Sequence, residues 1–189
     1  MKRWFAGSCV ATMLALGACA NPVPGGSASG TTPGSATSSS PTGRTGEGID
    51  LAGFDPCVSI TPEQAKTLGL NGPKPQASTG SAKSCNWTHF LAEPIESFFV
   101  EGNDRRGIES MNSTGSLFKV GRFDAVDTRS SIVDDDKACG IAIAVRPGQV
   151  LLVSYVYSGS IQRMTHDLAC EKAKPVAAMV VANLDRGGS

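Results

Sequence analysis

The sequence has few of the groups that usually carry enzyme chemistry. Only two histidines occur, His89 and His166, and neither lies in a nucleophile motif. The Gly-x-Ser-x-Gly segment that marks the nucleophile of α/β-hydrolases is absent. No Cys-x-x-Cys pair occurs, so the common signatures of a zinc site or a thioredoxin-like redox site are missing too. We therefore predict that the chain is not an enzyme, that it has no catalytic residues, and that it carries no metal or other cofactor.

The sequence also lacks an excess of positive charge. The full chain has 17 basic and 17 acidic residues. Removing the segment before Cys19 would take away Lys2 and Arg3, which leaves 15 basic residues against 17 acidic ones and a net charge of about −2. Binding to phosphate backbones requires a basic excess gathered on one face. We therefore predict no nucleic-acid partner.

No apolar run reaches the roughly 20 residues that a bilayer-spanning helix needs. The chain instead starts with a basic Met-Lys-Arg and an apolar stretch over residues 4–16, which is typical of a signal peptide. Leu16-Gly17-Ala18-Cys19 follows and resembles the lipobox of bacterial lipoproteins. That resemblance implies a signal peptide over residues 1–18 and a diacylglycerol lipid, with its palmitate-type chains, on Cys19. An ordinary signal peptide followed by an incidental cysteine is the alternative.

The segment after the lipobox is dominated by glycine, serine, threonine and proline. Such a composition cannot bury enough apolar surface to offset the entropy of ordering the chain. We predict that residues 19–48 are the lipidated cysteine and a disordered tether, with a span of about 30 Å for a flexible coil of this length. The protein would then lie on the extracytoplasmic face of the cell membrane, bound to it through the lipid on Cys19.

A single folded domain is predicted over residues 49–189. Thr61, Pro62 and Gln64 form a helix start with a capping box, and Gly69 is typical of a helix end. Strands are predicted over residues 84–91 and 96–101, and a short helix over 105–111. Residues 117–126 are ambiguous, because Gly121 interrupts any regular pattern.

The clearest pattern is a β-hairpin. Residues 139–145 alternate between Cys, Ile or Val and the small residues Gly or Ala, which is typical of a strand. Pro147 and Gly148 occupy the positions that a type II turn favours, and residues 150–157 form the returning strand. The small residues on one face of the first strand predict that a helix packs closely there.

That helix is expected to be the last one. Its apolar face would include Ile161, Met164, Leu168 and Met179. Pro175 lacks a backbone donor, so we expect the helix to kink or break there. The prediction as a whole is an α+β fold: an antiparallel sheet with an N-terminal helix, a C-terminal helix and two disulfides.

Four cysteines remain in the predicted domain: Cys57, Cys85, Cys139 and Cys170. In an exported domain they most simply form two disulfides, and three pairings are possible. Joining nearest partners favours Cys57–Cys85 and Cys139–Cys170. A metal or redox site is the alternative, because His166 lies one helical turn before Cys170. We predict instead that His166 is a surface histidine.

Several short motifs together resemble one protein family. Asp-Pro-Cys57 leads into Ile-Thr-Pro-Glu63, Cys85-Asn-Trp87 follows, and Cys170-Glu-Lys-Ala173 lies in the last helix. This set is similar to the actinobacterial lipoproteins, many of them mycobacterial, that carry domain of unknown function 3558. The resemblance covers roughly residues 50–185. It implies an exported lipoprotein domain with the paired cysteines described above, and it supplies no activity and no catalytic residues.

Acidic residues offer two weaker candidate sites. Asp134, Asp135 and Asp136 form the densest charge run, but they lack the alternating ligands, central glycine and distal glutamate of a calcium loop. A solvated loop is the better interpretation. Asp124 and Asp127 are candidate paired carboxylates for acid–base chemistry.

The aromatic residues offer a third candidate. Phe98, Phe99, Tyr155 and Tyr157 include chain neighbours, and neighbours on a strand point to opposite faces of a sheet. Either one aromatic set lines a ligand groove or partner surface, or helices cover both faces of the sheet. We favour the second interpretation.

Three hypotheses about function follow. The first is a non-enzymatic binding or interaction module whose ligand is an envelope protein, lipid or glycan. The second is an envelope hydrolase whose site combines His89 or His166 with nearby carboxylates. The third is a passive surface antigen or structural lipoprotein. The missing catalytic motifs favour the first.

Overall fold

A computed structural model describes residues 48–77, 82–90, 94–113, 115, 117–129, 135–160 and 163–187. The predicted signal peptide, Cys19 and nearly all of the predicted tether lie outside the described residues. The described part is an α+β fold with a seven-stranded antiparallel sheet, two α-helices and two disulfides, which confirms the predicted fold class. The strands are β1 (Lys74–Gln76), β2 (Lys83–Phe90), β3 (Ile95–Asn103), β4 (Phe118–Val120), β5 (Phe123–Thr128), β6 (Ala138–Arg146) and β7 (Gln149–Ser158).

The strand order in the sheet is β1-β2-β3-β7-β6-β5-β4, and every neighbouring pair is antiparallel. The long hairpin of β6 and β7 therefore lies near the middle, with β3 beside β7 and β5 beside β6. Gly148 in its turn has a φ of 71°, the left-handed conformation that a type II turn requires at this position. A second hairpin accounts for the ambiguous segment 117–126, because Gly121 (φ 58°) lies in the turn between β4 and β5.

Helix α1 (Pro62–Thr67) follows the predicted helix start. The Thr61 hydroxyl accepts a hydrogen bond from the Gln64 backbone N–H, and the Gln64 side chain accepts one from the Thr61 N–H. The capping box therefore satisfies two backbone donors at the helix start. Before α1 lies a 3₁₀ helix, Pro56–Val58, and another covers Ile108–Ser110 in place of the longer helix expected there.

Helix α2 (His166–Asp185) packs on β6 and β7 and is continuous. A kink or break was predicted at Pro175, but the helix continues through this residue without interruption. Pro175 lies on the exposed side, while Ala173, Val176 and Ala177 around it are buried. Tertiary packing on both sides of the proline therefore keeps these turns helical.

The expected apolar face of α2 is partly wrong. Leu168 is 39% exposed, and Ile161 lies outside the described residues. The buried face is instead made of small and β-branched residues: Ala169, Ala173, Val176, Ala177, Val180 and Val181.

The prediction that a helix packs on the small residues of β6 is also wrong. Cys139, Ile141 and Ile143 face α2, and the small residues face the other way. Gly140 is small because a side chain there would collide with the Thr128 hydroxyl on the neighbouring strand. The alanines of α2 itself allow the helix to lie close to the sheet. The larger residues of β6 can therefore fill the core between helix and sheet.

Two disulfides join elements that are distant in the sequence. Cys57–Cys85 links the first 3₁₀ helix to β2, and Cys139–Cys170 links β6 to α2. Both are the pairs that joining nearest partners favours. Within the part of the chain that the structure describes, no helix is long and apolar enough to cross a bilayer.

Candidate functional site

The aromatic residues of β3 and β7 divide between the two faces of the sheet. Phe98 and Tyr155 lie 5.3 Å apart, ring centre to ring centre, in the core under α2, and Tyr157 is buried in the same core. Phe99 alone points to the opposite face, where it lines a cleft. No α-helix among the described residues covers that face, where the 3₁₀ helix Ile108–Ser110 packs against part of β6.

This cleft has a volume of about 410 Å³. Its floor includes Phe99, Leu152 and Gly140, so the small residues of β6 leave the room that it occupies. Glu101 and Arg106 also line it. Burial raises the pKa of the Glu101 carboxyl, and the positive charge of Arg106 acts against that rise. The cleft thus combines an apolar floor with a half-buried carboxyl group and a basic side chain.

A larger groove lies between α1 and β2. Its volume is about 770 Å³, within the roughly 300–1,000 Å³ of small-molecule sites. The lining is mostly apolar: Val58, Ile60, Pro62, Ala65, Leu70 and Trp87. We call this site the Trp87 groove.

Trp87, one of the residues that line this groove, carries an unusual polar group. Its side chain is fully buried, and its indole Nε1 has no hydrogen-bond partner among the described residues. A buried N–H without an acceptor costs about 1–3 kcal/mol, so such donors are nearly always paired in folded proteins. A ligand carrying a hydrogen-bond acceptor would supply the missing partner.

Lys66 is the only charged residue among those that line the groove in the described part of the chain. It lies in the last turn of α1 and is exposed. Val58, also in the lining, is 51% exposed, so the groove has both an accessible apolar rim and one positive charge. This combination suits a ligand with an apolar body and an anionic end.

His89 is brought close to a carboxylate, as the hydrolase hypothesis requires. Its Nδ1 lies 3.9 Å from Glu96 Oε2, beyond hydrogen-bond distance. The Tyr155 hydroxyl donates to Glu96 Oε1 at 2.7 Å, and burial together with this bond raises the pKa of the phenol. Tyr155 is buried in the core. The network therefore gives its hydroxyl a hydrogen-bond partner and does not form a nucleophile–base pair.

His166 is buried rather than on the surface, which corrects the prediction from sequence. It is 8% exposed because it begins α2 on the side that faces the sheet. Its Nδ1 lies 2.9 Å from the Ala138 carbonyl oxygen, and its Nε2 lies 3.5 Å from Cys170 Sγ. Cys139, His166 and Cys170 place one donor atom each within 4.8 Å of one another.

The acidic candidates are not brought together. Asp124 and Asp127 are three residues apart on β5, and residues of a strand alternate between faces, so their carboxylates point to opposite sides. Asp124 instead forms an ion pair of 2.8 Å with Lys119. The candidate carboxylate pair is therefore not formed. Asp136 is exposed in the 3₁₀ helix Asp135–Lys137, and Asp134 lies outside the described residues.

Sequence reasoning alone did not identify Trp87, Lys66 or Glu101 as site residues. The available signal was weak: Trp87 is two positions after Cys85 on an alternating strand, which predicts only that both side chains share one face. That face is next to α1 because Cys57–Cys85 holds the 3₁₀ helix before α1 against β2.

The family model described as "Protein of unknown function (DUF3558)" matches residues 14–183. No curated protein and no solved structure matches the chain.

Proposed function

We propose that this chain, which belongs to the DUF3558 family of proteins of unknown function, is an actinobacterial cell-envelope lipoprotein with a non-enzymatic ligand-binding domain. The lipid on Cys19 anchors it to the extracytoplasmic face of the cell membrane. The folded domain binds a single-chain amphiphile that has an apolar body and an anionic, hydrogen-bond-accepting end. The ligand occupies the Trp87 groove.

Two features support the envelope location. Residues 1–19 have the order of a lipoprotein export signal: basic start, short apolar stretch, two small residues and cysteine. The domain carries two disulfides, which form and persist in oxidising compartments outside the cytoplasm. A double-acyl anchor holds a protein stably at a membrane, whereas one chain does not.

The unpaired indole N–H of Trp87 is the observation that carries the binding proposal. Ligand sites are mostly apolar concavities with a few polar groups that orient the ligand, and the Trp87 groove combines that lining with one buried donor and one exposed ammonium group on Lys66. A carboxylate-ended chain carries what each group binds: an oxygen that accepts a hydrogen bond and a charge that Lys66 attracts. The indole N–H is fully buried, so a ligand oxygen reaches it only after neighbouring side chains move.

The anchor is tested by expressing the full chain in an actinobacterial host. We expect the mature protein to begin at Cys19, to carry diacylglycerol mass on its first peptide, and to sediment with membranes. Cys19→Ala removes the acceptor sulfur and should abolish the lipidated peptide and membrane retention. Cys9→Ala is the matched control and should leave both unchanged. Mass spectrometry of wild-type protein that begins at Met1 without lipid would contradict the proposal.

The groove is tested with decanoate and the chain from residue 19 onward carrying Cys19→Ser. The shortened chain lacks Trp4, so Trp87 is its single tryptophan. The fluorescence of Trp87 therefore reports on the groove directly. We expect a saturable change in emission with decanoate. By calorimetry, Trp87→Phe should weaken binding about tenfold, because one hydrogen bond of roughly 1.4 kcal/mol is lost.

Matched controls distinguish binding in the groove from nonspecific binding to the protein surface. Val58→Asp places a charge at the groove rim and should abolish binding, while Leu117→Asp, at a residue that is 66% exposed and outside the groove lining, should not change it. Lys66→Gln should weaken decanoate binding several-fold and leave the neutral analogue decanol unaffected. Equal losses in the Val58 and Leu117 variants, or an affinity that Trp87→Phe leaves unchanged, would overturn the site.

A further inference from the structure

The two disulfides differ in their surroundings. Cys139–Cys170 has an imidazole nitrogen against it, since His166 Nε2 lies 3.5 Å from Cys170 Sγ. Among the residues that the structure describes, this is the one group of three metal-ligating side chains with mutually close donor atoms. Beside Cys57–Cys85, the described part of the chain places no such third ligand.

The orientation of His166 is set by a hydrogen bond to the backbone. A carbonyl oxygen can only accept, so Nδ1 donates its proton to the Ala138 oxygen at 2.9 Å. In the neutral ring the lone pair is then on Nε2, which faces the sulfur. Histidines that bind metal nearly always donate their other N–H to a carbonyl or carboxylate, which fixes the tautomer and ring direction. His166 already has this arrangement without a metal.

We propose that Cys139, His166 and Cys170 form a redox-dependent zinc site, which is closed while the cysteines are joined and opens when a dithiol reduces them. The dithiol supplies two electrons and two protons, the Cys139–Cys170 bond breaks, and the dithiol becomes a cyclic disulfide. Zn²⁺ then binds the two sulfurs and His166 Nε2 and releases the two thiol protons. A water molecule takes the fourth position.

One of the three donor–donor edges already suits a tetrahedral zinc ion. With Zn–S bonds of about 2.3 Å and a Zn–N bond of about 2.05 Å, the N···S edge of the tetrahedron is about 3.6 Å, close to the present 3.5 Å between Nε2 and Cys170 Sγ. The S···S edge is about 3.8 Å, so the two sulfurs must move apart from their bonded 2.07 Å. Cys139 Sγ is within 4.8 Å of the other donor atoms and must also reach the N···S edge. Side-chain rotation of the two cysteines can supply both changes, since His166 is already beside Cys170.

The charges also suit a buried site. Cys139 is fully buried and Cys170 is 3% exposed, and an uncompensated charge in such a position is very costly. Two thiolates neutralise Zn²⁺, so the complete site carries no net charge. Without metal, reduction leaves two uncharged thiols between β6 and α2.

Cobalt serves as the spectroscopic probe for this site. The test chain begins at residue 19 and carries Cys19→Ser, Cys57→Ala and Cys85→Ala, so only Cys139 and Cys170 remain. After reduction with a dithiol and its anaerobic removal, one equivalent of Co²⁺ should give thiolate-to-cobalt charge transfer and the intense visible bands of tetrahedral cobalt. Zinc should displace the cobalt and bleach these bands. The oxidised chain should show none of them.

His166 variants decide whether the imidazole is a ligand. His166→Ala should weaken cobalt binding at least tenfold, whereas His166→Cys should retain it and increase the charge-transfer absorbance through a third thiolate. Near-ultraviolet circular dichroism of the reduced chains records whether they stay folded. Cobalt bands that are the same in wild type and His166→Ala, bands that appear only in unfolded chains, or no bands in the folded reduced chain would each overturn the proposal.

Discussion

Replacing Cys139 and Cys170 together by alanine should lower the free energy of unfolding by about 3–4 kcal/mol. The disulfide closes a loop with a sequence separation of 31, and removing such a cross-link restores conformational entropy of roughly this size to the unfolded chain. The bond also fixes α2 to β6, between the first turns of the helix and the start of the central hairpin. Urea unfolding followed by circular dichroism measures the change.

The Cys57→Ala/Cys85→Ala variant is the matched comparison. Its loop is nearly as long, with a separation of 28, so the chain-entropy model predicts the same loss within a few tenths of a kcal/mol. A larger loss for Cys139 and Cys170 would measure the added contribution of native packing under α2. A loss below about 1 kcal/mol in a cooperative transition would contradict the view that this disulfide is a main constraint on the fold.

Pro175→Ala should raise the free energy of unfolding by about 2 kcal/mol. A proline in a helix interior is about 3 kcal/mol less favourable than alanine, because it lacks an N–H and its ring clashes with the carbonyl four residues earlier. Alanine also makes the unfolded chain more flexible, which offsets the gain by up to about 1 kcal/mol. Pro175 is exposed, so the substitution leaves no cavity.

Thermal and urea unfolding measure this gain, which corresponds to a rise of roughly 4–8 °C in the melting temperature for a domain of this size. Glu171→Ala is the control: it changes an exposed side chain one turn earlier and leaves the backbone intact, so its effect should stay within about 0.5 kcal/mol. A Pro175→Ala variant that is no more stable than wild type would mean that the packing of α2 depends on the proline.

Local patterns predicted much of the fold. The capping box at Thr61 and the Pro-Gly turn of the β6–β7 hairpin were predicted from neighbouring residues, because each depends on hydrogen bonds or backbone angles within a few positions. The β4–β5 hairpin was missed for the opposite reason: Gly121 looked like an interruption, while its left-handed conformation makes the turn. The disruptive effect of Pro175 on the helix was overestimated. The burial of apolar residues on both sides of it stabilises the helix more than the local backbone preference of proline destabilises it.

Face assignments were where local reasoning failed. The small residues of β6 predicted a helix above them, whereas α2 packs on the opposite face and the cleft with Phe99 lies on theirs. Alternation along a strand shows that two faces differ and does not show which element covers each. His166 was placed on the surface for the same reason, since its burial depends on which side of α2 meets the sheet.

The amino-acid sequence by itself determined the α+β class, the first helix and the central hairpin, because each follows from contacts between residues close along the chain. Only the tertiary structure decided the sites. The Trp87 groove needs α1 held beside β2, and the cluster of His166 with its two cysteines needs α2 laid on β6. Both depend on approaches between segments far apart in the chain, which no local pattern specifies.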